Sequence, residues 1–218
     1  MPFDLASLDH ERAAHIMAAQ QSVVQVRTGR NGAGSGVIIH RDGLIVTNAH
    51  VVRRRKPAII LANGQQVDGK ILAVDEANDL AAISVKIEPV PALELGDSRR
   101  LRPGSLVVSV GHPWGVIGAA TAGMVISIGH PIEPLPYAGE LIQAGLRMRP
   151  GHSGGPMLDA NGELVGINTM IAGPNVGLAV PATTVARFLR ESLGSRRGRE
   201  EQKRPRRGQA RGARPMRV

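Results

Sequence analysis

The segment Pro150-Gly151-His152-Ser153-Gly154-Gly155-Pro156-Met157 sets one serine among glycines, and each glycine costs backbone entropy on folding. Such a stretch suits a tight turn that presents Ser153 Oγ outward and leaves backbone N–H groups unpaired. N–H groups placed in this way can hold a developing oxyanion, often the largest single contribution to acyl-transfer catalysis. A serine is a poor nucleophile at neutral pH, so it needs a base, and the base needs an orienting acid. Upstream the chain offers His50, directly after an apolar strand pattern, and Asp79, at the mouth of the apolar run Leu80 to Val85. Taken singly, each feature is ordinary. Ser-Gly-Gly-Pro is a common surface turn, a histidine at a strand end is usually structural, and an aspartate before a strand is usually a turn residue. Asp75 is the nearest rival to Asp79. His152 is the nearest rival to His50, although adjacent residues in a tight turn cannot easily set an imidazole on the neighbouring hydroxyl.

Outward from the serine turn, short Val- and Ile-rich runs are separated by turn signals, the pattern of an all-β domain rather than of a helical bundle or βαβ units. Asp42-Gly43 and Asn63-Gly64 mark hairpins, because these pairs accept the positive φ that two-residue turns need. The glycines from Gly29 to Gly36 also read as a hairpin turn. Their spacing fits neither dinucleotide nor P-loop signatures, and no helix pattern follows them. Gly123 reads as a bulge or bend in the strand Ala120 to Ile128. Pro131 to Gly139 reads as an irregular loop. Ser7 to Gln21 has the pattern of a short amphipathic helix, and Pro181 to Leu193 that of a second one with an apolar face of Val185, Phe188, Leu189 and Leu193.

The chain has 218 residues, 27 glycines, four aromatic residues and no cysteine, which excludes disulfides and thiolate metal sites. Its seven histidines show no His-x-x-x-His or carboxylate clustering, so neither a metal nor another cofactor is expected. No apolar run reaches the roughly 18 residues of a membrane span. The first 20 residues carry Asp4, Asp9 and Glu11 without an apolar core, unlike a secretory signal. As it stands the sequence points to the cytoplasm, with a periplasmic or other extracytoplasmic site as the alternative for a trimmed N-terminus. The net charge of +9 is uneven: residues 194–218 carry ten basic and two acidic side chains, and the rest of the chain is nearly neutral. That tail is too polar to bury a core and is expected to be disordered. Its cations suit salt-dependent contact with nucleic acid or acidic surfaces, and it has no aromatic residue for stacking on bases.

Taken together, the motifs resemble the HtrA/Deg type of trypsin-like serine protease. The resemblance rests on Gly34-Ser35-Gly36-Val37-Ile38-Ile39, Val46-Thr47-Asn48-Ala49-His50-Val51-Val52, Asp79-Leu80-Ala81-Ala82-Ile83, Leu95-Gly96-Asp97-Ser98 and Val110-Gly111-His112-Pro113-Trp114-Gly115. It continues through the Ser153 turn, Gly166-Ile167-Asn168-Thr169 and Gly177-Leu178-Ala179-Val180-Pro181. These motifs follow one another in the family's order across about residues 23–190.

The resemblance implies an all-β fold of two six-stranded antiparallel β-barrels with short terminal helices. Its divisions would be an N-terminal helical segment over 1–21, a first barrel over 22–105, a second barrel with its helix over 106–194, and the basic tail over 195–218. It implies Ser153 as nucleophile, His50 as general base and then acid, and Asp79 as the acid that orients His50. The oxyanion hole would use the N–H groups of Gly151 and Ser153. Met148, Met170 and Ile171 would form an apolar specificity pocket, taking small or medium aliphatic residues of unfolded or damaged protein chains, without ATP. A homotrimer is the assembly such proteases commonly adopt, and Phe3 is the one aromatic near the N-terminus for it. The alternative is a catalytically silent chaperone-like or peptide-binding domain, with the tail as a tether. The chain departs from the family in having His152 where Asn is usual, Ala144-Gly145 in place of Thr-Asp, and Arg147 and Arg149 in the active-site loop. Its basic end stands where a PDZ domain usually follows.

Overall fold

The computed structural model describes residues 5–29, 32–52, 56–130, 137 and 139–194. Phe3, most of the Pro131–Gly139 loop and the basic tail, with the expectations attached to them, lie outside these residues.

The chain opens with helix α1 (Leu5–Gln20) and continues into a sheet of seven strands: β1 (Val23–Thr28), β2 (Gly32–His40), β3 (Leu44–Thr47), β4 (Ala58–Ile60), β5 (Gln66–Asp68), β6 (Lys70–Asp75) and β7 (Leu80–Ser84). One helical turn, α2 (Ala49–Val52), follows β3. Six further strands come next: β8 (Leu106–Gly111), β9 (Ala119–Gly129), β10 (Leu141–Gly145), β11 (Pro156–Leu158), β12 (Leu164–Ile171) and β13 (Gly177–Pro181). Helix α3 (Ala182–Leu189) closes the described chain and ends in a wider π turn, Arg190–Gly194. The first sheet has the order β5-β4-β1-β2-β3-β7-β6 and curls as a half-barrel, while β10-β13-β12-β11-β8-β9 closes into a six-stranded barrel. The all-β, two-barrel expectation is thus met by one closed barrel and one seven-stranded curled sheet.

Local chemistry fixes several connections. Gly43 and Gly64 take φ of 86° and 82° in the two hairpins that their Asp-Gly and Asn-Gly pairs announce. Asp75 accepts from Asn78 N–H at 3.1 Å and from its side-chain amide at 2.7 Å, an Asx-type turn that delivers the chain to Asp79.

The stretch Gly32–Gly36 is strand, not turn, and pairs with β1 from Thr28↔Gly32 to Val24↔Gly36. Its glycines answer to packing. A Cβ on Gly34 would stand 2.8 Å from a Val51 methyl, and one on Gly36 2.9 Å from an Ile45 methyl. Strand pairing with close neighbours on both faces overrides the turn propensity of glycine here.

Each sheet has its own core: Val24, Val26, Ile38, Ile45, Ile59 and Ile83 in the first, and Val107, Val125, Ile142, Met157 and Val165 in the second. A third buried cluster joins them. It takes Val37, Val46, Leu80 and Ala82 from the first sheet, Leu141, Leu164, Ile167 and Leu178 from the barrel, and Val185 and Phe188 from α3. Fully burying a side chain of this size contributes about 1.5–3 kcal/mol, so the seam is a core in its own right. It holds the ends of β3 and β7 against β12, which positions the site. Ala19 of α1 packs with Val108, Val110 and Leu158 and ties the first helix to the barrel.

Candidate active site

Strand β3 runs through Thr47 into α2, and this turn carries His50. Asp79 is the turn residue just before strand β7, and its φ of 53° lies in the left-handed region, where Asp and Asn are the tolerated non-glycine residues. That reversal buries the carboxylate, leaving Asp79 only 1% exposed. Burial of an acid this complete requires partners, and Asp79 has them. His50 Nδ1 lies 2.8 Å from Oδ2 and 3.1 Å from Oδ1. The His50 backbone N–H donates to Oδ1 at 3.0 Å, and Thr169 Oγ1 donates to Oδ2 at 2.6 Å. Four contacts from donors suit a carboxylate, which only accepts, and they place the imidazole proton on Nδ1. The rival Asp75 spends its carboxylate on the Asn78 turn.

Ser153 reaches the same group through Thr169. Its Oγ donates to the Thr169 carbonyl at 2.8 Å, so one residue of β12 bridges the hydroxyl and the buried acid. Tyr137 lies beside this group on the β9–β10 connection; burial, with the negative charge of Asp79 nearby, pushes its phenol up to about 12. Neither Thr169 nor Tyr137 is among the site residues expected from the sequence, although Thr169 ends one of the motifs that carry the resemblance. Only pairing across 90 residues shows what the Thr169 hydroxyl does.

The serine turn places its amides selectively. Gly151 takes a φ of 108°, and any Cβ there would collide with the His112 carbonyl. His152 N–H donates to the Arg149 carbonyl at 3.0 Å, Gly154 N–H to Asn168 at 2.8 Å, and Gly155 N–H to His152 at 2.9 Å. The N–H groups of Gly151 and Ser153, by contrast, donate to no acceptor among the described residues. Beside them lies a cavity of about 250 Å³ lined by Met148, Met170 and Ile171, with Ser153, His152, Arg149, Pro150 and Thr169. Among the described residues its lining carries no carboxylate. Arg149 lies over the exposed Trp114 ring, 5.5 Å from its centroid.

His152 is buried, with Nδ1 at 3.1 Å from both N and O of Arg149, and its Nε2 has no partner among the described residues. Burial lowers its pKa from the usual 6.5. Burial thus favours the neutral imidazole in the fold, while the unfolded chain takes up the proton below about pH 6.5. Stability contributed by the neutral ring is complete above that pH and is lost as pH falls through it. In thermal denaturation, wild type should lose more Tm between pH 7.5 and 5.5 than His152→Asn. Equal losses would remove His152 as the cause.

Residues 34–167 match the family described as trypsin-like peptidase domain. The chain belongs to this family. Its relatives within it are HtrA-type proteases. It is 35% identical over 168 residues to a putative serine protease HhoB of Synechocystis sp., covering 74% of this chain and 40% of that protein. It is 38% identical over 161 residues to the mitochondrial serine protease HTRA2 of Bos taurus, covering 72% and 35%. A solved structure of the HtrA-type protease AlgW with a tripeptide superposes with a TM-score of 0.77 at 30% identity, covering 84% of this chain and 63% of that one. The chain thus spans about 40% or less of the length of these curated relatives.

Proposed function

We infer that this trypsin-like chain is a serine endopeptidase acting on unfolded or damaged protein chains through Ser153, His50 and Asp79. The observation that carries the reading is the buried Asp79 carboxylate, which receives His50 Nδ1 at 2.8 Å and meets Ser153 through Thr169. With its proton held on Nδ1, His50 offers the Nε2 lone pair as a base. For catalysis the Ser153 hydroxyl must leave the Thr169 carbonyl and donate to that lone pair.

Oγ then attacks the scissile carbonyl as His50 takes its proton, and the N–H groups of Gly151 and Ser153 receive the oxyanion. His50 returns the proton to the amine as the C–N bond breaks, leaving an ester on Ser153. Water, deprotonated by His50, hydrolyses this ester, and the proton goes back to Oγ. Amide hydrolysis supplies the free energy, so no ATP is needed. The Met148, Met170 and Ile171 cavity favours a small or medium aliphatic side chain before the cleaved bond. An extended backbone is needed to reach it, which selects unfolded chains.

The test combines fluorophosphonate labelling with casein degradation in the absence of nucleotide. Covalent labelling at Ser153 and nucleotide-independent cleavage after aliphatic residues are expected. An unlabelled, folded protein that binds casein without cutting it would replace this reading with the silent peptide-binding domain.

A further inference from the structure

The geometry points to Ser35, in strand β2 of the first sheet, as the positioning residue of the oxyanion loop in the barrel. This rests on the serine-protease reading above. Ser35 is fully buried, and every polar group it has is engaged. Its backbone N–H donates to the Ser153 carbonyl at 2.7 Å. Its hydroxyl donates to the Gly151 carbonyl at 2.7 Å, across 116 residues of sequence. The same hydroxyl accepts from His112 N–H at 2.9 Å. Its carbonyl in turn accepts from Thr47 Oγ1 at 2.6 Å, which fixes Ser35 to β3 just before His50.

One residue therefore grips the carbonyls of Gly151 and Ser153, the two residues whose N–H groups are left unpaired in the turn. Holding the Gly151 carbonyl fixes the Gly151–His152 peptide plane, and with it the backbone torsions that aim the Gly151 N–H. Glycine at 151 has no Cβ to resist rotation, so the restraint must come from outside the loop. Neighbouring packing is built around this clamp: a Cβ on Gly154 would collide with the Ser35 carbonyl, and one on Gly155 would stand 3.2 Å from Ser35 Cβ. Without the hydroxyl, Gly151 keeps only the longer 3.3 Å bond from His112 N–H.

Ser35→Ala should therefore lower kcat by about 10- to 100-fold, somewhat less than removal of an oxyanion donor outright, with KM within about twofold of wild type. A peptidyl boronate or trifluoromethyl ketone, which forms the tetrahedral anion on Ser153, should lose affinity by the same factor as kcat/KM. Ser35→Cys keeps a weak donor and acceptor and should fall between the two; it carries the test if the alanine variant does not fold. All assays are run well below each variant's Tm, with wild type and Ser153→Ala alongside. If wild type is inactive, the protease reading fails. If wild type is active while the folded Ser35 variants keep its kcat and inhibitor affinity, or change KM alone, the positioning role of Ser35 is overturned.

Discussion

Ser153→Ala should reduce peptide hydrolysis by about 10⁶-fold, the loss expected when one member of a nucleophile–base unit is removed. The fold should survive the change. The backbone contacts of the turn, from Ser35 N–H to the Ser153 carbonyl and from Gly154 N–H to Asn168, do not involve Oγ. The one bond lost is Oγ to the Thr169 carbonyl, a neutral bond whose net contribution is about 1 kcal/mol. Thermal denaturation should accordingly move only slightly while casein cleavage and fluorophosphonate labelling vanish together. Hydrolysis that persists in purified, folded Ser153→Ala at the wild-type rate would mean that another group makes the acyl bond, and the assignment of Ser153 would fall.

Much of the candidate site is legible in the sequence because the proposed chemistry needs rare residue combinations in a fixed order. The glycines around Ser153, the histidine three residues after Thr47 and the aspartate before Leu80 each stand where a turn or strand end can present them. Turn chemistry was also readable, since Asp-Gly and Asn-Gly carry their φ requirement in the dipeptide. Between Asp75 and Asp79, local sequence could not choose. The choice rests on a left-handed residue that aims Asp79 inward while Asp75 closes the turn before it.

The stretch Gly32–Gly36 was misleading for a related reason. Its glycines exist to let Val51, Ile45 and the Ser153 turn approach the backbone, and close approach looks like turn propensity in a linear string. Ser35 and Thr169 lie within motifs that carry the resemblance, but the contacts that give them roles form only when strands more than 50 residues apart are brought together. Strand β5, at one edge of the first sheet and three residues long, is too short to announce itself by alternation.

Asp79→Asn is expected to lower kcat by about 10⁴-fold with little loss of stability, and the reason lies in how its two oxygens are used. Asparagine tolerates the left-handed φ of 53° as aspartate does, so the backbone has no cause to move. The amide, however, must put an NH2 where one oxygen stood. At Oδ1 it would face the His50 backbone N–H, two donors with nothing between them. At Oδ2 it meets Thr169 Oγ1 and His50 Nδ1, and there the hydroxyl can rotate to accept. The amide therefore settles at Oδ2, and Nδ1 must become an acceptor too. That moves the imidazole proton to Nε2, and the ring no longer has a lone pair to offer Ser153. Nitrogen NMR of His50 should show the tautomer reversed in the variant while Tm stays near wild type. A variant with wild-type kcat, or one slowed with its proton still on Nδ1, would show that the carboxylate does not act by fixing the tautomer.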